Sequence, residues 1–99
     1  MEKQYRITLD VQEKAWDSAY PIAREAFDKA KDFTIIPGDG GERVGVAFML
    51  TFDGEHLEAY NFVVESILEG YEARGIADKD IFVSVADVDT GAINLKHLM

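Results

Sequence analysis

The sequence predicts an α+β fold in which an antiparallel sheet carries two helices on one face, in a single domain spanning residues 1–99. Three stretches alternate apolar and polar residues, which is the period of half-buried strands. Two others repeat their apolar residues at spacings of three and four, which is the period of amphipathic helices. A chain of 99 residues has room for one such domain, and 47% hydrophobic residues suffice for a continuous core.

The first strand is predicted over residues 5–11, where apolar side chains occupy alternate positions. Helical spacing follows over residues 12–31. Its apolar stripe comprises Trp16, Ala19, Ala23, Phe27 and Ala30. Pro21 leaves two alternatives, because proline inside a helix removes a hydrogen bond and clashes with the preceding turn. Either the helix is kinked at Pro21, or it begins late with Ser18 as its N-cap.

A hairpin is predicted next, with a short apolar strand over residues 33–36, a glycine-rich turn over residues 37–42 and a long strand over residues 43–52. Phosphate-binding loops are also rich in glycine, but they lead into a helix and carry Lys with Ser or Thr. This turn leads into a strand and contains Asp39 and Glu42. A hairpin turn is therefore the better interpretation.

The second helix is predicted between an N-cap at Asp53 and a left-handed C-terminal residue at Gly75. Its apolar residues recur at spacings of three and four: Leu57, Tyr60, Val64, Ile67, Leu68 and Tyr71. A last long strand is predicted over residues 81–88. After a turn, residues 93–98 can return as a short C-terminal edge strand.

The predicted order, strand–helix–strand–strand–helix–strand (βαββαβ), resembles the split βαβ arrangement of ferredoxin-like folds. Two right-handed crossovers would place both helices on one face of the sheet and leave the other face open. The resemblance covers nearly the whole chain, but it concerns the pattern of elements alone. Because this fold supports many unrelated functions, it predicts the architecture and not the activity.

The composition argues against several classes of function. Nineteen acidic residues against ten basic ones give a net charge of −9, which repels nucleic-acid phosphates and anionic membranes. The longest apolar run, residues 44–50, is far shorter than the roughly 20 residues of a membrane span. The N-terminal sequence lacks the features of a signal peptide, and the absence of cysteine fits a cytoplasmic protein.

No motif predicts catalysis, a metal or a cofactor. The run DGEH, residues 53–56, brings two carboxylates and an imidazole together at a helix start. Helix capping explains these residues, and a metal would need a further ligand such as His97. An enzyme built on Asp53, Glu55 and His56 is therefore the least favoured hypothesis.

The sequence also departs at particular positions from a calcium-binding loop and from an RNA-binding domain. The run DVDTG, residues 87–91, resembles the opening of a calcium loop, but the twelfth position is Leu98 rather than an acid. A solvated turn is the better interpretation. RNA-binding domains of the RRM type share the predicted order of elements and stack bases on aromatics of the third strand. Here the corresponding open-face positions are Gly45, Ala47 and Met49, so that platform is missing.

The first candidate surface is an acidic stripe on the outer side of the second helix. At 100° per residue, five glutamates fall within about 100° of one another. They are Glu55, Glu58, Glu65, Glu69 and Glu72. Phe62 falls inside the acidic stripe, and an exposed aromatic among carboxylates is typical of a binding anchor. The alternative is a solvated acidic face with an incidental phenylalanine.

The second candidate surface is the open face of the sheet. Its predicted residues are Arg6, Thr8, Ala47, Met49, Thr51, Phe82, Ser84 and Ala86. This mixture is neither fully polar nor typical of a core, and exposed apolar patches mark interfaces, so we expect a homodimer as one use of this face. The alternative is that residues 93–98 cover it.

The acidic stripe favours a small non-enzymatic binding protein that docks on a basic, nucleic-acid-binding site of another protein. Ordered carboxylates can occupy the Arg and Lys positions that otherwise hold phosphates. In size, acidity and lack of cysteine the chain is similar to the small inhibitors that phages carry against host nucleases and CRISPR complexes, a likeness of composition alone. The alternative hypothesis is a dimeric regulatory or small-ligand-binding domain that uses the open face.

Overall fold

A computed structural model describes residues 2–36 and 43–99. Within them the chain forms the elements β1 (Glu2–Gln12), α1 (Trp16–Ala26), β2 (Lys31–Ile36), β3 (Arg43–Asp53), α2 (His56–Ala73), β4 (Ile81–Asp87) and β5 (Ile93–Leu98). A 3₁₀ turn, Glu13–Ala15, precedes α1. The predicted turn at residues 37–42 lies outside the described residues.

The strands form one sheet in the order β2-β3-β1-β4-β5, and every neighbouring pair is antiparallel. The prediction of an α+β fold with an antiparallel sheet and two helices is confirmed. The C-terminal strand is also present, because β5 pairs along β4 from Ile81↔Leu98 to Ala86↔Ile93. Residues 93–98 therefore extend the sheet at its edge, and the alternative in which they cover the open face is wrong.

The hydrophobic core lies between both helices and one face of the sheet. Alternate residues of β1 are buried on this face between buried residues of β3 and β4, as Ile7 is between Phe48 and Val85. Ile22 of α1 and Ile67 of α2 join the same core. Each side chain of this size contributes about 1.5–3 kcal/mol when it is fully buried. Both helices therefore pack on one face, and the opposite face remains open.

The first helix is shorter than the helical spacing over residues 12–31 predicts, because it spans Trp16–Ala26. It starts at Trp16, so the alternative with Ser18 as N-cap is wrong. Pro21 lies inside the helix, and its missing N–H leaves the carbonyl of Asp17 without the usual helical hydrogen bond. The helix ends at Ala26, and a turn at residues 27–30 leads into β2, whose second residue, Asp32, has a left-handed φ of 57°. This turn creates one wall of the cleft described below.

The second helix ends as predicted and starts differently. At its C-terminus Gly75 has a φ of 67°, and the N–H of Ile76 donates to the carbonyl of Tyr71 at 3.0 Å, which is a Schellman cap. The N-cap is Glu55 and not Asp53, so that prediction is wrong. Asp53 is still extended because β3 pairs with β1 as far as Glu2↔Asp53.

Candidate interaction site

The acidic stripe faces solvent along α2. All five of its glutamates are exposed. Glu55 and Glu58 form a capping box, in which the Glu55 N–H donates to Glu58 Oε1 at 3.2 Å. Among the described residues, Glu65, Glu69 and Glu72 form no ion pair, and every negative charge of the stripe remains accessible.

The basic residue nearest in sequence does not neutralise the acidic stripe. Arg74 follows α2, but its Nη2 contacts Glu25 Oε2 of α1 at 2.8 Å. Glu25 is largely exposed, so this pair contributes little to stability, since exposed ion pairs are worth about 0–1 kcal/mol. The ion pair nevertheless directs the Arg74 guanidinium toward α1 and away from the outer side of α2.

Phe62 is the aromatic residue within the acidic stripe, and it is 42% exposed. Its ring packs against two other phenylalanines, with centroids 5.3 Å from Phe52 and 6.3 Å from Phe27. Phe62 therefore forms the outer rim of an aromatic cluster. One side of the ring is therefore held in place while the other remains accessible.

A cleft of about 490 Å³ opens beside Phe62. One wall is the turn that follows α1, including Phe27 and Lys29, and the other is the end of β3, including Leu50 and Phe52. No local pattern in the sequence predicts this cleft, because it arises where β3 continues past Lys31, the first residue of β2. Its floor is aromatic, and its rim carries charges of both signs.

The DGEH run has a structural role. His56 donates from Nε2 to the backbone carbonyl of Val85 at 2.9 Å, and its ring stacks on Tyr5 with centroids 5.8 Å apart. The buried Tyr5 hydroxyl in turn donates to the carbonyl of Gly54 at 2.8 Å. These contacts attach the start of α2 to β1 and β4. Within residues 2–36 and 43–99, no group of three or more acidic, His or Cys side chains is arranged to hold a metal ion.

The predicted solvated turn at residues 87–91 begins with a buried carboxylate. Asp87 is 3% exposed and accepts a hydrogen bond from Lys3 Nζ at 2.7 Å. The backbone N–H groups of Asp89 and Thr90 also donate to it, at 2.9 and 3.3 Å. The contact with Lys3 and then these two amides lower the pKa of Asp87 to about 2. Asp87 therefore anchors the turn, although the rest of the turn is exposed.

The open face brings together three of its four predicted interface residues. Arg6 lies opposite Met49 and donates from Nη1 to its Sδ at 3.7 Å, and Thr8 is the next open-face residue along β1. Phe82 lies farther along the sheet, opposite Asp10. The most exposed apolar residue on this face is Leu95 of β5, at 66%.

A polar cluster covers Phe82. The His97 ring stacks on it with centroids 4.0 Å apart, and the Arg43 guanidinium lies 4.9 Å from its centre. His97 Nε2 contacts Asp80 Oδ1 at 2.6 Å, and Arg43 Nε donates to Asp10 Oδ1 at 2.8 Å. The bond from His97, followed by the charge of Arg43, lowers the pKa of Asp80. The sequence missed this cluster because its members come from four different strands or strand ends.

Comparison of the chain with protein-family models and with curated proteins gave no match. Neither described helix combines the length and hydrophobicity that crossing a membrane requires.

Proposed function

We propose that this chain is a small non-enzymatic binding protein whose acidic stripe docks on a basic surface of a partner protein. One observation carries the proposal: Glu65, Glu69 and Glu72 are exposed on one side of α2 and have no ion-pair partner among the described residues. A net charge of −9 would speed encounter with a basic partner and suppress encounter with acidic ones.

The partner class that fits best is a protein with a nucleic-acid-binding site. Arginine and lysine side chains that hold phosphates also form strong hydrogen bonds with carboxylates. Along the helix axis, glutamates three or four residues apart are separated by about 4.5–6 Å, so α2 offers a regular row of anionic groups. An inhibitor of the phage anti-defence type, acting on a nuclease or a CRISPR complex in the cytoplasm, would use such a row.

Charge reversal tests this proposal with a matched control. Glu65→Lys with Glu69→Lys changes the stripe, while Glu13→Lys with Asp17→Lys makes the same change in charge near the start of α1. Partners captured from bacterial lysate are identified and then assayed for binding to a labelled oligonucleotide. We expect the chain and the control variant to compete with the oligonucleotide, increasingly so at low salt, and the stripe variant to fail. Equal competition by both variants would refute the proposal.

The open face supports a second candidate, a dimeric regulatory or small-ligand-binding domain. We infer for it a ferredoxin-like arrangement of β1 to β4 with β5 as an added edge strand. The specific observation is that Ile93 and Leu95 are 63% and 66% exposed on a face that no other described element covers. Sedimentation should then show a dimer that persists at high salt, and a strict monomer at high concentration would remove this candidate.

A further inference from the structure

The two edge strands of the sheet differ in how they are protected against an added strand. β2 begins with the charged residues Lys31 and Asp32, and its pairing with β3 is irregular between Lys31 and Thr34. Irregular pairing and charge both discourage edge-to-edge association. β5 lacks the irregularity, because it pairs with β4 in unbroken register, and it contains no acidic residue. β5 is therefore the less protected edge.

The outer side of β5 presents the backbone groups of alternate residues. The N–H of Asp87 donates to the carbonyl of Ala92 at 2.8 Å, at the closed end of the hairpin that joins β4 to β5. Because backbone groups alternate in direction along an antiparallel strand, residues 94, 96 and 98 also face β4, and Ile93, Leu95 and His97 direct theirs outward. Among residues 2–36 and 43–99, β5 pairs with β4 alone, so these outward groups are available to another strand.

Ile93 and Leu95 also place their side chains on the open face, beside small neighbours. Ile93 lies opposite Ala86 and Leu95 lies opposite Ser84, and neither neighbour is large enough to cover them. Ile93 and Leu95 are accordingly 63% and 66% exposed. A strand added to the outer side of β5, with large apolar residues on the same face, would remove both side chains from water.

A second copy of β5 supplies such a strand in one register. When two copies pair antiparallel with Leu95 opposite Leu95 of the second copy, every outward backbone group from Ile93 to His97 has a partner. Ile93 then lies opposite His97 of the second copy, and Lys96 lies opposite Asn94. Like charges directly opposite each other destabilise a sheet, and this register avoids them, whereas a register centred on Lys96 would place two lysines together.

Charge also favours this edge as the meeting point of two acidic molecules. Two chains of net charge −9 repel each other, and the exposed side of α2 carries the five glutamates of the acidic stripe. Residues 90–99 contain no acidic side chain and include Lys96 and His97. Repulsion between copies is therefore smaller where β5 meets β5 than where the helices meet.

We infer that two copies of this chain pair through β5, centred on Leu95, and join their five-stranded sheets into one continuous sheet. The two-fold axis of such a pairing runs perpendicular to the sheet, so the helices of both copies lie on the same side. The two acidic stripes then face the same direction and can contact one partner. This inference does not rest on the acidic stripe, and it differs from an open-face dimer because the copies meet at a strand edge.

Sedimentation of the intact chain and of two matched variants tests the interface. Leu95→Lys and Leu57→Lys replace leucines that are 66% and 61% exposed, and they change the net charge equally. We expect Leu95→Lys to raise the dissociation constant of the dimer about tenfold or more, because the symmetry places two lysines opposite each other. Leu57→Lys, on α2, should change it less than about threefold. A thermal melt checks that both variants are folded.

Hydrogen exchange measured by NMR determines the register. The amides of residues 94, 96 and 98 face β4 whether or not the dimer forms. Dimerisation should therefore slow exchange about tenfold or more at residues 93, 95 and 97, and at no other residues of β5. Equal effects of the two lysine variants, a dimer without this alternation, or a strict monomer at about 1 mM chain would overturn the inference.

The outcomes separate the inference from the proposed function. If Leu95→Lys abolishes the dimer and the charge-reversed stripe still competes with the oligonucleotide, the inference holds and the acidic stripe is not the docking surface. If the chain is a monomer and the charge-reversed stripe fails to compete, the inference is wrong and the proposed function stands. A dimer that protects open-face residues of β1 in place of residues 93, 95 and 97 would favour the open-face dimer over pairing through β5.

Discussion

Replacing Gly70 with alanine tests the close approach of α1 and α2, which fixes the direction of the acidic stripe. A Cβ atom added at Gly70 would lie 2.5 Å from Cγ2 of Ile22. Carbon atoms pack at about 3.5–4.0 Å, so a helix or the Ile22 side chain must move by about 1 Å. Ile22 is 1% exposed and β-branched, so its Cγ2 cannot rotate away without disturbing the core.

Two effects oppose each other in this variant. Alanine is more favourable than glycine inside a helix by about 0.8–1.0 kcal/mol. Adding a methyl group to a well-packed core costs about 1–3 kcal/mol, and an approach this short belongs in the upper part of that range. We therefore expect Gly70→Ala to lower the free energy of unfolding by about 1–2 kcal/mol.

Urea and thermal denaturation followed by circular dichroism measure this change, and for a domain of this size 1 kcal/mol shifts the Tm by about 4–8 °C. Asn61→Ala on the exposed side of α2 is the matched control, expected to stabilise the chain by about 0.5 kcal/mol. The double variant Gly70→Ala with Ile22→Leu should recover part of the loss, because leucine lacks the Cγ2 branch. Stabilisation by Gly70→Ala equal to that of Asn61→Ala would refute the packing described for α1 and α2.

Three further predictions concern stability and charge. The pKa of Asp87 falls from its usual 3.8 to about 2 in the folded chain, so its stabilising contribution is present above about pH 4 and is lost as the pH falls toward 2. Asp87→Asn should flatten this part of the pH profile of urea midpoints, whereas Asp89→Asn, at an exposed turn position, should leave it unchanged. Glu58→Ala removes one half of the capping box and should lower the free energy of unfolding by about 0.5–2 kcal/mol, against almost no change for Glu65→Ala; equal effects would contradict the assigned N-cap. Partner binding through the acidic stripe should weaken at least several-fold between about 50 and 300 mM salt, and salt-independent binding would contradict an electrostatic docking mode.

Local patterns in the sequence suffice for much of the fold. Alternation places Tyr5, Ile7 and Leu9 on the buried face of β1, and Gly75 ends α2 because glycine alone adopts its left-handed conformation at no steric cost. The N-cap of α2 could not be predicted in the same way. Asp53 is a good capping residue, but pairing with Glu2 keeps it in β3, so a contact between distant residues moves the helix start to Glu55.

The candidate site, like the fold, could be predicted from the sequence only where it depends on spacing within one element. The helical period alone predicts that the five glutamates and Phe62 share one side of α2, since this depends on spacing within one element. The contacts of Phe62 with Phe27 and Phe52, and the cleft beside them, depend on where the pairing of β2 with β3 begins, at Lys31↔Met49. The pairing of β2 with β3 is irregular between Lys31 and Thr34, next to this point. The sequence has no recognisable signal for that irregularity.

The two candidate surfaces do not compete for the same space. The acidic stripe lies on α2, above one face of the sheet, whereas the exposed residues Ile93 and Leu95 lie on the opposite face. Their charges also differ, because the open face carries Arg6 and Arg43, and the carboxylate of Asp10 on that face is already bound to Arg43. A second copy that covered the open face would leave the acidic stripe of each subunit exposed and would present two stripes to a partner. Dimerisation would then raise the avidity for a repetitive basic surface rather than replace the proposed binding function.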